Sequence, residues 1–366
     1  MATGENLRVL TSMRFFAALW VVLFHYWHDL PGAPGLPAFI DKGYLGVELF
    51  FILSGFILCH VYRAAVEQGR FQYGDFLWKR LARIYPMHIV TLAGMGVMAM
   101  TATVLGFRVD PNILSWSSLP ANLTLTQAWG LATTAAWNHP SWSISAEWFA
   151  YLTFPVSAWV ALKFKNRPLA GLVLAMILVV ALNWGFHAAT GKLLTLATIK
   201  WGALRIVPCF VYGCALYGYW SARPAQNRTR AGLGALISGI VTFFFTVAGL
   251  PDSLIVLGLG LTLLFLAQLA QTRSAILAQA PLVYLGEISY SMYMICIPWK
   301  VVFVDTMTRI VKVNDGNLTF GLWLVLIFSL ILLSSISFHL IEKPAREWMK
   351  LIGGGRATQQ PAPSST

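Results

Sequence analysis

Long apolar runs alternate with short polar segments along almost the whole chain. Ten of these runs are long enough, or nearly so, to cross a bilayer, because a helix of about 20 residues spans its hydrocarbon core. They cover residues 9–28, 44–62, 86–107, 146–164, 168–187, 201–220, 231–250, 253–271, 284–304 and 319–341. The pattern predicts an all-α, polytopic integral membrane protein with about ten transmembrane helices. We expect one membrane domain over residues 1–350 and a disordered tail over residues 351–366.

The basic residues predict an orientation for this bundle. With the N terminus inside, 17 of the 26 Lys and Arg residues fall in cytoplasmic segments, six on the opposite side and three within spans. Cytoplasmic loops of membrane proteins are enriched in Lys and Arg, so both termini are predicted to be cytoplasmic. The long segment at about 108–145 is then outside, and we expect it to lie on or re-enter the outer face rather than fold alone.

The first apolar run contains two ionisable residues, Arg14 and His25. Eleven helical steps of about 100° bring the two side chains to within about 20° of one direction, so they share a helix face. Along the axis they are about 16 Å apart, with Arg14 near the cytoplasmic end and His25 near the outer end. Ionisable groups are costly inside a membrane and usually have a function there, although Arg14 could also reach a headgroup.

The predicted topology brings three further charged residues to the depth of His25. Glu48, Glu147 and Arg205 each lie near the outer end of a different predicted span. A carboxylate beside His25 would make the imidazole a stronger base; Glu48 is the first candidate and Glu147 the second. Arg205 would neutralise a carboxylate or stabilise a developing oxyanion. The alternative is a buried salt bridge, such as Glu147–Arg205, that only fixes helix packing.

The cytoplasmic side has a smaller polar cluster. Arg80 and Arg83 are three residues apart on one helix face, ahead of Pro86. They could bind the phosphates of a cytosolic cofactor, or simply anchor the protein as positive-inside residues do. The small residues Ser54 and Gly55 are expected to let neighbouring helices approach closely.

Composition excludes several other classes of protein. Only 11% of the residues are charged, and the net charge of +12 is distributed among loops rather than along one stripe, so a nucleic-acid partner is not expected. The four cysteines lie in apolar runs without a CxxC pattern and are expected to be buried thiols. The histidine spacing gives no metal site, and there is no GxSxG or phosphate-binding loop motif.

Six motifs, in order along the chain, resemble those of membrane-bound acyltransferase family 3. They are the R-x10-H spacing of Arg14 and His25, GVELFFILSGF over 46–56 with Glu48 in place of the usual Asp, Arg80 with Arg83, WSISAE over 142–147, RIVPCF over 205–210 and LGEISYSMY over 285–293. One departure concerns Cys296, which lies where the family often has His. We expect no appended esterase domain of the SGNH type.

The resemblance implies transfer of an acetyl group from acetyl-CoA to a hydroxyl of an extracellular polysaccharide or its lipid-linked precursor, at a bacterial inner membrane. His25 would be the catalytic base, with Glu48 and Glu147 as acid–base partners. Residues expected to bind donor or substrate are Arg14, Ser54, Arg80, Arg83 and Arg205. Acetyl-CoA would be the cosubstrate, without a metal, and the partners would be the glycan acceptor, membrane lipids and polysaccharide-assembly proteins.

Two other functions remain open from the sequence. The same buried polar residues could line the path of a carrier or flippase for a glycan or lipid, although the chain has no convincing internal repeat of the kind that many transporters show. A membrane scaffold for polysaccharide assembly would need none of these ionisable residues. Consumption of acetyl-CoA separates the enzyme from both alternatives.

Overall fold

The structure is a computed structural model that describes residues 5–30, 35, 37–106, 113–225, 227–271, 276–310 and 318–353. Those residues form α-helices and short 3-10 turns, and they contain no strand. The helices are α1 Glu5–Tyr26, α2 Ala38–Asp41, α3 Gly46–Glu67, α4 Tyr73–Val104, α5 Leu119–Leu123, α6 Trp142–Leu152, α7 Phe154–Lys163, α8 Pro168–Thr190, α9 Gly202–Ala222, α10 Arg228–Val247, α11 Asp252–Gln271, α12 Ala280–Glu287, α13 Ser289–Ile310, α14 Phe320–Ser337 and α15 Lys343–Gly353. A π-helical turn over Phe338–Glu342 joins α14 to α15. The predicted all-α fold is confirmed.

Within the described residues, seven helical segments are long and apolar enough to cross a membrane. They are Arg8–Asp29, Ala38–Glu67, Tyr73–Val104, Pro168–Thr190, Arg228–Val247, Asp252–Gln271 and Phe320–Gly353. An eighth span results if α12 and α13, which are bent by 54° at their junction, count as one. The chain is therefore a multi-pass membrane protein, with fewer such segments than the ten that the apolar runs predicted.

The difference in count has two physical causes. The predicted span 146–164 is broken at Thr153 into α6 and α7, of 11 and 10 residues, and Pro155 lies at the start of α7, where its ring disfavours a continuous helix. Helix α9 has 21 residues and a length of about 32 Å, but Arg205 and its tyrosines make it less apolar than the other spans. Of the predicted disordered tail 351–366, residues 351–353 instead belong to α15, whose last residue Gly353 packs against Trp78 of α4, and the remaining residues lie outside the described part of the chain.

Helix α1 lies among many of the other helices. It packs against α3, α11, α12 and α13. Gly286 of α12 lies so close to the backbone of Thr11 that a Cβ atom there would collide with α1. Gly55 of α3 and Gly213 of α9 make an equally close crossing, which confirms the helix contact expected at Ser54 and Gly55. These crossings fix α12 against α1 and α3 against α9.

The long segment between α4 and α6 packs onto the bundle. Asn122 accepts a 2.8 Å hydrogen bond through its backbone oxygen from the buried ring of His88 on α4. The side chain of Asn138 donates to the backbone oxygen of Met294 on α13 at 2.9 Å. Trp137 is buried in a small cluster that includes Leu92 of α4. The described part of this segment, from residue 113, is thus a cover over helices rather than a separate domain.

Other helices present apolar side chains outward. Large exposed side chains include Trp184 on α8, Phe244 on α10 and Phe328 on α14. An apolar outer surface is what lipid-facing helices require, because lipid tails replace water as the solvent. The four cysteines are free and buried, as predicted.

Candidate active site

The polar residues predicted on the cytoplasmic side meet in one cavity of about 120 Å³. Five predicted site residues line it: Arg14 of α1, Ser54 of α3, Arg80 and Arg83 of α4, and Glu147 of α6. Three tyrosines, at positions 151, 290 and 293, complete its polar wall. Both predicted arginines lie on the long helix α4. Because they are three residues apart, they project from one face of it. We call this space the inner cavity.

Glu147 is held in the inner cavity by two hydroxyl donors. Ser54 donates to its Oε1 at 2.5 Å, and Tyr151, one turn later on α6, donates to the same oxygen at 2.6 Å. Arg14 interacts electrostatically with Glu147. The prediction that Glu147 would join His25 and Arg205 is therefore wrong in its grouping, and the alternative Glu147–Arg205 salt bridge is not formed. The predicted depth of Glu147 in the membrane could not show which neighbouring side chains it faces.

A second carboxylate that the sequence reasoning missed, Glu342, lies beside the inner cavity. It is 1% exposed and sits in the π-helical turn before α15. Arg83 Nη1 donates to Glu342 Oε1 at 2.6 Å, and Ser291 donates to Oε2 at 2.7 Å. The guanidinium of Arg83 also lies 5.5 Å from the ring centre of Tyr290. The available sequence signal was an acidic residue at the end of the last apolar run.

Arg80 has weaker partners than Arg83. Its Nη2 is 3.5 Å from the hydroxyl of Tyr62, and its guanidinium lies 5.7 Å from the same ring. Its Nε is buried without a hydrogen-bond partner among the described residues. Arg14 faces the positive charge of Arg83 as well as the carboxylates of Glu147 and Glu342. The inner cavity is consequently suited to an anion, since a buried guanidinium without a carboxylate is unfavourable.

Glu48 and Arg205 form a buried ion pair in a different part of the bundle. Arg205 Nε and Nη2 donate to the two carboxylate oxygens of Glu48 at 2.5 Å and 3.0 Å. Arg205 also donates to the backbone oxygen of Ala197 and lies 4.6 Å from the ring centre of Trp142. The close α3–α9 crossing brings the two helices together, so the fork-like geometry of arginine can engage both oxygens.

Asp252 organises a second charged network near the start of α3. Lys42 Nζ donates to its Oδ1 at 2.6 Å, and Tyr44 donates to its Oδ2 at 2.8 Å. Thr195 also donates to Oδ2. Because Asp252 begins α11, this network joins that helix to the entry into α3.

His25 lies in the last turn of α1, half-buried and apart from the inner cavity. Lys300 of α13 donates to the backbone oxygen of His25 at 2.8 Å and pairs with Asp29 at 2.9 Å. The His25 ring interacts electrostatically with His139, which precedes α6. Burial, and to a smaller extent the positive charge of Arg205, lowers the pKa of His139 below its ordinary value. The sequence reasoning missed Lys300 and His139 as neighbours of His25.

The two carboxylates predicted as partners of His25 have other partners in the structure. Glu48 is bound to Arg205, and Glu147 is bound to Ser54 and Tyr151. Between Arg14 and His25, α1 presents the buried apolar residues Ala18 and Val22. The two ends of α1 thus belong to two polar regions. One is the inner cavity; the other, which we call the outer region, contains His25 and the ion pairs Lys300–Asp29, Glu48–Arg205 and Lys42–Asp252. In the described chain, no group of three or more His, Cys, Asp or Glu side chains could hold a metal ion.

Comparison with known proteins gives a family and several relatives. The family described as "Acyltransferase domain" matches residues 8–340. Acyltransferase MdmB of Streptomyces mycarofaciens is 31% identical over 312 residues, which are 78% of this chain and 77% of that protein. O-acetyltransferase OatA of Staphylococcus aureus is 24% identical over 377 residues, covering 95% of this chain and 58% of OatA. No solved structure gives a significant match.

Proposed function

Since the chain belongs to this acyltransferase family, we propose that it transfers an acetyl group from acetyl-CoA to a hydroxyl of an extracellular polysaccharide or its lipid-linked precursor. The proposed site of action is a bacterial inner membrane, with both termini in the cytoplasm. The name of OatA favours the acetyl group and an oxygen acceptor, and the name of MdmB favours an acyltransferase in general. The polysaccharide acceptor is what the resemblance to the family's glycan O-acetyltransferases implies, and the predicted outer location of His25 fits an acceptor on that side.

The observation that carries the donor assignment is the composition of the inner cavity. Arg14, Arg80 and Arg83 line it together with the carboxylate of Glu147, and a second carboxylate, that of Glu342, lies beside it and pairs with Arg83. Guanidinium groups bind phosphate oxygens through paired N–H donors, and coenzyme A carries several phosphates. The predicted topology places this cavity on the cytoplasmic side, where acetyl-CoA is made available.

The reaction assigns different tasks to the two polar regions. In the net reaction the acceptor oxygen gains the bond to the acetyl carbonyl carbon that the sulfur of CoA loses. Because His25 lies about 16 Å from Arg14 along α1, the acetyl end of the donor must reach beyond the inner cavity toward His25 for this step. His25 would remove the hydroxyl proton, which is finally taken up by the departing thiolate of CoA. Glu147 would act as the acid–base carboxylate on the donor side, held by Ser54 and Tyr151. Glu48 would position Arg205 at the α3–α9 crossing.

Reconstitution in lipid vesicles tests this proposal. Purified wild-type protein should release CoA from acetyl-CoA when it is given the glycan fraction of its own cell, and the acetylated product should appear by mass spectrometry. His25→Ala should abolish that release, whereas His187→Ala, a change at an exposed histidine on α8, should leave it unchanged. Movement of glycan across the vesicle without CoA release would instead identify a carrier.

Deletion of the gene tests the acceptor. The surface glycans of the deletion strain should lack an acetyl group that returns on complementation with the wild-type gene but not with His25→Ala. Unchanged acetylation of surface glycans in the deletion strain would contradict the polysaccharide assignment. Loss of an acetyl group from a different class of molecule would support the proposed acetyltransferase activity and identify a different acceptor.

A further inference from the structure

The C-terminal helix α15 lies against α4 beside the inner cavity. Trp78 of α4 donates through its indole nitrogen to the backbone oxygen of Met349 at 2.7 Å. On another face of α15, Trp348, Leu351 and Ile352 are exposed and follow helical spacing. An amphipathic helix of this kind lies in the membrane interface with its apolar face toward lipid. Its remaining face is therefore directed along α4 and its arginines.

That remaining face carries two basic residues, Arg346 and Lys350. They are four residues apart and so share one side of the helix. Arg346 interacts electrostatically with Arg83 and with three carboxylates, those of Glu342, Glu347 and Glu287. Lys350 interacts with Arg346, Arg80 and Arg83, and also with the carboxylate of Glu347. Basic side chains of α4 and α15 thus lie near one another, with the carboxylates of Glu342, Glu347 and Glu287 beside them.

Two guanidinium groups in this cluster have unused buried donors. The Nε atoms of Arg80 and Arg346 are both buried and have no hydrogen-bond partner among the described residues. Neither arginine forms an ion pair with a carboxylate in that part of the chain. A buried donor without an acceptor is unfavourable, and a charged one more so. An anion oxygen beside either guanidinium would satisfy its Nε, and Lys350 interacts with both arginines.

We infer that Arg346 and Lys350 of α15, together with Arg80 of α4, form a subsite for the phosphate groups of a nucleotide-containing acyl donor. Arg346 and Arg80 would supply paired N–H donors from two elements, and Lys350 would supply a third positive charge. The inference rests on the proposed function, because it assigns part of the proposed donor to these residues. The acyl end of the donor would then extend from this subsite into the inner cavity.

Phosphate groups reach this surface from two sources, the donor and anionic lipid headgroups. Both would bind the same basic side chains. The buried positions of the two Nε atoms favour the donor, since a headgroup at the interface would meet the exposed side of α15. Bilayers with and without anionic lipid separate the two sources.

The test compares a double variant with a control of equal charge. Arg346→Gln/Lys350→Gln removes two positive charges from the subsite, and Lys79→Gln/Lys163→Gln removes two exposed ones elsewhere. Each protein is assayed in phosphatidylcholine nanodiscs with acetyl-CoA and with S-acetylpantetheine, which lacks phosphate. The subsite variant should raise the KM for acetyl-CoA by about 10-fold or more and leave kcat and the KM for S-acetylpantetheine unchanged. The control variant should match the wild type with both donors.

Three results would overturn the inference: an unchanged KM for acetyl-CoA, an equal loss with both donors, or a loss seen only when phosphatidylglycerol is present. Binding of adenosine 3′,5′-bisphosphate by titration calorimetry gives a readout that does not need turnover. Wild-type protein should bind this nucleotide and the subsite variant should bind it at least about 10-fold more weakly. If the wild-type protein binds the nucleotide but never uses acetyl-CoA, the proposed function is refuted and the phosphate subsite stands. If the wild-type protein does not bind the nucleotide, the subsite is refuted.

Discussion

The two polar regions of this bundle differ in whether their charged side chains are paired. In the outer region the buried or half-buried charges have partners: Glu48 with Arg205, Lys300 with Asp29, and Lys42 with Asp252. In and beside the inner cavity, Arg83 has a carboxylate partner, whereas Arg80 and Arg346 keep unpartnered Nε atoms. Paired charges are already satisfied by the fold. Unsatisfied ones indicate where an anionic ligand would bind.

The comparison also separates residues that the family motifs group together. Glu48 and Glu147 both come from motifs shared with acyltransferases, yet Glu48 is fully buried in an ion pair and Glu147 faces the inner cavity. A buried ion pair fixes helix packing with little further freedom to react. The half-buried His25 is the exception in the outer region, because no carboxylate of the described residues bonds its ring.

The largest expected effect concerns His25. His25→Ala should lower acetyl transfer by at least about 100-fold, because general-base catalysis contributes about 10²–10⁴-fold. CoA release in vesicles measures the effect, and folding is checked by size-exclusion chromatography in detergent. If the variant transfers acetyl groups within a few-fold of the wild-type rate, His25 is not the catalytic base.

The Glu48–Arg205 pair provides the next largest effect, on stability. Glu48→Met alone should lower the free energy of unfolding by about 3–5 kcal/mol, because it leaves Arg205 buried without its partner. The double variant Glu48→Met/Arg205→Met should recover most of that loss, as apolar replacements of a buried pair often do. Thermal unfolding in detergent measures both. A double variant as unstable as the single one would show that the pair contributes more than mutual neutralisation.

Two arginines of the inner cavity should differ from each other. Arg80→Gln should weaken acetyl-CoA binding by about 10-fold without loss of stability, because it removes a donor that has no carboxylate partner. Arg83→Gln should weaken binding and also destabilise the fold, since it leaves Glu342 buried and uncompensated. Calorimetric binding and thermal unfolding of the two variants make the comparison. Equal stability of both would contradict the role given to Glu342.

The smallest effect is expected at the protein surface. Lys79 and Asp75 form an exposed pair one turn apart on α4. Lys79→Ala should change the free energy of unfolding by no more than about 0.5 kcal/mol and leave acetyl-CoA affinity unchanged, because exposed pairs contribute little. A larger loss of affinity would extend the donor site beyond the residues proposed here.

The sequence predicted the helices and part of the site, for physical reasons that can be stated. Apolar run length predicted the spans, and residue spacing predicted that Arg80 and Arg83 would act together. The neighbours of Glu147 could not be predicted, because topology gives a side chain's depth but not the direction it faces within the bundle. The break at Thr153 and the partner of Arg83 depend on packing between segments far apart in sequence, including Glu342, which is 259 residues from Arg83.

The most direct test of this account is the affinity of the purified protein for acetyl-CoA in phosphatidylcholine nanodiscs, measured by calorimetry for wild type and Arg14→Ala. Arg14 lines the inner cavity, whereas none of the paired charges of the outer region does. The account predicts that wild type binds acetyl-CoA and that Arg14→Ala binds it at least about 10-fold more weakly. Wild-type affinity in Arg14→Ala, or no binding by the wild type, would contradict it.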